Sequence, residues 1–166
     1  MAFVGNDVVD RMDPANRGKS RDGRFQEKVF LPEEREFIRS SADPDEALWS
    51  LWAVKEAAWK AAAKAAPEDG RGWKGIRVRT ESGGAGSGCE AFAGPVPPVG
   101  DTGDEPSWER IMTGMAETFA GSASFQVHRR GACIHALCRL GPEDPALRII
   151  WNSQTVSSKK VSDLFL

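Results

Sequence analysis

Alternation and helical spacing divide the chain into a short list of elements. Phe3 to Val9 reads as a strand whose internal Gly5 permits a bend or the close approach of a ligand, and this puts Asp7 near the strand's end. Pro32-Glu33-Glu34 is a helix start: proline suits the first turn and carboxylates suit the positive end of the helix dipole. That helix runs to about Arg39. A second start, Asp43-Pro44-Asp45-Glu46, opens a run of strong helix formers that lasts to Ala66 and is stopped by Pro67. Within it Trp49, Trp52 and Trp59 recur at helical spacing, as core residues do, and Trp52 is placed to edge a site.

Trp73 to Thr80 alternates as a strand, with Ile76 and Val78 on one face and Arg77 and Arg79 on the other. In Trp108 to Phe119, the apolar positions Ile111, Met112, Met115 and Phe119 suit a helix or an irregular cover over a sheet. Ser122–His128 and Ala132–Leu140 read as two strands around the turn Arg129-Arg130-Gly131, and the second, apolar on both faces, is expected at the centre of a sheet. Ala146–Trp151 and Lys160–Phe165 suggest helical pieces. The polar stretch from Asp13 to Lys28, interrupted by Gly18 and Gly23, reads as a mobile loop; Ser82–Gly88 and the Pro/Gly/Asp-rich Gly94–Pro106 read as loops, with 94–106 flexible.

At 166 residues, the chain suits one domain spanning 1–166. Its 22 Lys and Arg against 24 Asp and Glu exclude a surface built broadly for nucleic acid, so any anion must meet a local basic cluster. The N-terminal residues lack the cationic start and apolar block of a secretory signal, and no stretch is apolar for long enough to span a bilayer. The expected location is the cytoplasm, with no membrane partner. Cys89, Cys133 and Cys138 have no metal or redox spacing and read as buried thiols.

In the long helix, Glu56 and Lys60 are four residues apart and stack on one face, where they can serve one site or form an exposed ion pair worth about 0.2–0.5 kcal/mol. Resemblance bears on that choice. Gly5-Asn6-Asp7-Val8-Val9-Asp10, followed by Trp52-Ala53-Val54-Lys55-Glu56-Ala57-Ala58-Trp59-Lys60, resembles the paired signature of 4'-phosphopantetheinyl transferases. Between them, Arg24-Phe25-Gln26-Glu27-Lys28-Val29-Phe30-Leu31-Pro32-Glu33-Glu34 resembles the family's intervening segment, in which Arg-Phe precedes a basic residue and a helix-opening acid. Asp10, with apolar Val9 before it, is similar to the small, holo-acyl-carrier-protein-synthase branch. Leu51 stands where that branch often carries an arginine, which leaves the adenosine-end phosphate contact unassigned.

The resemblance implies an α+β fold, with one long helix on a small antiparallel sheet, and a homo-oligomer, a trimer first. It implies that Mg2+ is bound by Asp7 and Glu56 and touches the diphosphate of coenzyme A. The 4'-phosphopantetheine arm would then pass to a serine of an apo acyl or peptidyl carrier protein, releasing adenosine 3',5'-bisphosphate. Asp7, Glu56 and Lys60 are the implied catalytic residues; Lys55 and Lys60 would bind phosphate. For the serine proton, Glu56, Asp7 through a water, or neutral Lys60 are all candidates, and a carboxylate with water is preferred because acidic neighbours favour charged lysine. Arg24 and Lys28, with Arg17, Lys19 and Arg21, would meet nucleotide phosphates or an acidic carrier face, or form a solvated loop. His128 is either a nucleotide contact or a surface turn residue, and His135 a core histidine. Two further functions stay open: a noncatalytic coenzyme A or nucleotide-binding module of this fold, and another Mg-dependent phosphotransferase or hydrolase.

Overall fold

The computed structural model describes residues 1–69, 72–81 and 108–142, with Lys74 described by its backbone alone. The expectations for 82–88, 94–106, 146–151 and 160–165 lie outside the described residues, as does Cys89. The elements are β1 (Phe3–Asp10), α1 (Gly23–Val29), α2 (Pro32–Ser40), α3 (Pro44–Ala65), β2 (Arg77–Thr80), β3 (Glu109–Thr118), β4 (Gly121–Arg130) and β5 (Cys133–Leu140). The five strands form one antiparallel sheet in the order β1-β5-β4-β3-β2, and α3 lies across it. This is an α+β arrangement in which the long helix is packed on the sheet.

Helix α3 forms where its capping signals say it should: Asp43 accepts from the Glu46 N–H at 2.9 Å, Pro44 opens the first turn, and alanines fill the interior. Those alanines have a second effect. Ala53, Ala57, Ala58, Ala61 and Ala62 are all fully buried, so backbone can approach the helix closely. The closest approach is at Gly5 of β1, where a Cβ would stand 1.9 Å from the Ala57 carbonyl oxygen and 2.8 Å from the Ala61 nitrogen. Gly5 therefore serves a close approach by the helix backbone.

Register assigns each strand residue to a face. Asp7 pairs with Ala136, which pairs with Val127, and this row, with Gly5 and Val9, faces α3. Val8, His135 and His128 form the adjacent row and so face the opposite side of the sheet. β5 lies inside the sheet between β1 and β4, consistent with its apolar sequence.

Three expectations are corrected. The stretch 13–28 does not remain a loop throughout: Lys19–Arg21 forms a 3-10 turn and α1 follows. Gly23 does not break this helix because it occupies the first position, behind Asp22, whose carboxylate accepts the Phe25 N–H at 3.0 Å. Phe25 then packs on Trp49 and Trp52, with ring centroids 6.1 and 5.8 Å away. Residues 109–118 form strand β3, in a hairpin with β4. A bulge between Arg110 and Met112 breaks the two-residue alternation there, so that the adjacent residues Ile111 and Met112 both pack against the core. The expected strand 73–80 is shortened, since Trp73–Gly75 makes a 3-10 turn before β2, while Ile76 and Val78 are buried and Arg77 and Arg79 exposed.

Candidate functional site

The crossing of β1 and α3 brings together three of the residues singled out in the sequence. Lys60 Nζ donates to Asp7 Oδ1 at 2.6 Å and to the Asn6 carbonyl at 3.1 Å. Glu56, one turn earlier on the same helix face, lies within the electrostatic reach of both Asp7 and Lys60. The cluster is half-buried, with the Lys60 side chain 39% and the Asp7 side chain 17% exposed. Its geometry depends on Gly5, because Asp7 is two residues further along the strand that glycine presses against the helix.

Burial holds the Glu56 carboxyl above its ordinary range, the negative charge of Asp7 adds to that, and Lys60 partly opposes it. Asp7 is also pushed up, by burial first, with the hydrogen bond and charge of Lys60 acting in the other direction. Two half-buried acids, one of which raises the other, leave a negative field that a cation relieves. Magnesium takes few protein carboxylates and completes its shell with phosphate and water oxygens. Two carboxylates, Asp7 and Glu56, brought to one strand–helix crossing are of the donor type and number that such an ion takes from a protein.

Lys55 lies in the interior, away from Asp7 and Lys60. Its ammonium is 1% exposed and sits 2.9 Å from the equally buried Glu34 carboxylate, donating also to the Ile76 carbonyl at 2.6 Å. Burial pushes this lysine's pKa down, and the Glu34 charge opposes the shift. Glu34 in turn accepts the N–H groups of Leu31 and Val78, each at 2.9 Å. The pair ties α2, α3 and the start of β2 into one buried joint, and neither charge is presented to a ligand.

His128 is buried within strand β4. It is 5% exposed, accordingly not a surface turn residue, and lies on the sheet face opposite Asp7, hydrogen-bonded through Nε2 with Gln126 Oε1 at 3.1 Å. Burial, then His135 and Arg110, pull its pKa down to about 4, so at neutral pH it is an uncharged imidazole. His135 is half-buried on the same face, edge-on to Trp108. Leu51 is 1% exposed in the core, so its position offers no phosphate contact.

Arg24 and Lys28 stand exposed on α1, one turn apart. Their helix is fixed to α3 by Phe25, which stacks between Trp49 and Trp52, with Trp52 also 5.4 Å from Trp73. Trp52 is half-buried one turn before Glu56. At the N-terminus of α3, Arg11 bonds Asp43 at 2.8 Å and Arg129 bonds Glu46 at 2.7 Å, a set of ion pairs that fixes the helix start to the ends of β1 and β4. Sequence reading missed this set and the Glu34–Lys55 joint, since pairs separated by 21 to 83 residues leave no local spacing to detect.

The family model for the 4'-phosphopantetheinyl transferase superfamily matches residues 3–98, more than half of the chain. The matched region contains β1, α1, α2, α3 and β2, and thus Asp7, Glu56 and Lys60. No curated protein and no solved structure matches the chain.

Proposed function

The chain belongs to the 4'-phosphopantetheinyl transferase superfamily, and from that premise we propose that it moves the 4'-phosphopantetheine arm of coenzyme A onto a serine of an apo acyl or peptidyl carrier protein, as the small holo-acyl-carrier-protein-synthase branch does. The observation that carries this reading is the convergence of Asp7, Glu56 and Lys60, distant in sequence, at one crossing of strand and helix.

In the proposed reaction the carrier serine oxygen forms a bond to the phosphorus bearing the pantetheine arm. The bond from that phosphorus to the bridging oxygen breaks, and adenosine 3',5'-bisphosphate leaves. Asp7 and Glu56 would hold a magnesium ion, which when bound neutralises charge building on the diphosphate oxygens, an effect worth several kcal/mol. Lys60 already acts as a donor in both of its contacts, which suits it to a phosphate oxygen and not to accepting the serine proton. A carboxylate of the cluster, acting through water, takes that proton. The exposed Arg24 and Lys28 face the acidic surface of the carrier or the nucleotide phosphates. We propose further that the protein works as a homotrimer, which light scattering will report directly, and in the cytoplasm.

The test is incubation with coenzyme A, magnesium and a panel of apo carrier proteins, with intact mass reporting the added arm and chromatography reporting adenosine 3',5'-bisphosphate. Asp7→Asn and Glu56→Gln are expected to abolish transfer while both variants remain folded. Full turnover in both removes the mechanism; tight coenzyme A binding without transfer to any carrier points instead to a noncatalytic binding module.

A further inference from the structure

The two contacts of Lys60 set a condition on how the site fills. One oxygen of Asp7 is already engaged by a cation, at 2.6 Å, and the same ammonium is steadied by the Asn6 carbonyl at 3.1 Å. A charge-assisted bond of this kind, on a carboxylate whose side chain is only 17% exposed, has to be broken before a divalent ion gains full use of Asp7. Breaking it without compensation leaves an ammonium beside the incoming metal, and like charges in a half-buried site oppose each other. A diphosphate reverses the balance, because its oxygens offer the ammonium a new acceptor as the metal takes the old one.

We infer that Lys60 is a resident counter-ion that competes with divalent metal for Asp7, so that metal affinity is low in the free protein and rises when a diphosphate draws the lysine away. This rests on the transferase reading for the identity of the diphosphate, though not for the competition at Asp7. Metal and coenzyme A then bind cooperatively, each raising the affinity for the other by the same factor. The neighbouring Lys64 supplies an internal control: it lies one turn further along α3 with the same charge, exposed, and donates to the Val4 carbonyl at 2.8 Å.

Mn2+ binding followed by electron paramagnetic resonance tests this without any catalysis. In the absence of coenzyme A, Lys60→Met is expected to bind Mn2+ about fivefold or more tightly than the wild type, whereas Lys64→Met stays within about twofold of it. Saturating coenzyme A, with no carrier present, should tighten Mn2+ binding in the wild type by about fivefold or more, and by a smaller factor in Lys60→Met. Mn2+ bound no more tightly by Lys60→Met than by Lys64→Met, including no binding by either, overturns the inference. A gain in Lys60→Met with no effect of coenzyme A on any variant supports competition at Asp7 and counts against the transferase. Transfer activity in the wild type without the Lys60→Met gain does the reverse.

Discussion

Glu56 and Lys55 are neighbours in sequence with opposite fates, and each predicts a distinct stability result. Glu56 holds its proton to a higher pH in the folded chain than in the unfolded one. The stability linked to that proton is fully present below the unfolded value and is lost as pH rises through the folded value. Glu56→Gln removes the charge at fault. In metal-free buffer its melting temperature is expected to equal or exceed the wild type's above that folded value, with the gap closing on acidification; calorimetry from pH 4 to 8 checks the sign. With coenzyme A present to occupy Lys60, added Mg2+ should raise the wild-type melting temperature and leave Glu56→Gln unmoved. Lys55→Met has the opposite outcome. It strands the Glu34 carboxylate at 1% exposure, and breaking a buried pair in this way costs about 3–5 kcal/mol, roughly 6–20 °C of melting temperature in a chain of this size.

Gly5 determines how closely strand β1 and helix α3 can approach each other. An alanine there cannot fit against the Ala57 carbonyl without moving backbone, so Gly5→Ala is expected to cost about 1–3 kcal/mol or more and to lower transfer sharply by shifting Asp7 away from Glu56. Thermal melting and the mass assay read the two effects separately. The elements themselves were mostly legible beforehand. Helix α3 carried its cap, its proline and its alanines within one stretch, and β1 carried a motif glycine and aspartate in order. The failures have physical causes: α1 looked like a loop because Gly23 falls at its first turn, and β3 looked helical because a bulge disturbs its alternation. The burial of Lys55 and His128 was not legible because a residue's type does not say which face of a helix or sheet it occupies. Register decides that, and register is set by strands more than 100 residues apart, such as β1 and β5.

At the scale of the whole molecule, β1 and α3 supply Asp7, Glu56 and Lys60, while α1 presents separate basic groups outward. Reversing both exposed charges, Arg24→Glu with Lys28→Glu, is expected to raise KM for an acidic carrier about tenfold and to make transfer less sensitive to salt. KM for coenzyme A should change little in the same assay. The chain contains six tryptophans and no tyrosine, and four aromatic rings, Phe25, Trp49, Trp52 and Trp73, pack together beside the helix turn that bears Glu56. Ultraviolet emission beyond the weak phenylalanine band is therefore indole in origin, and some of its emitters stand next to the turn that bears Glu56. If coenzyme A fills the proposed site, its arrival is expected to change this indole emission, with no dye and no label needed to follow it.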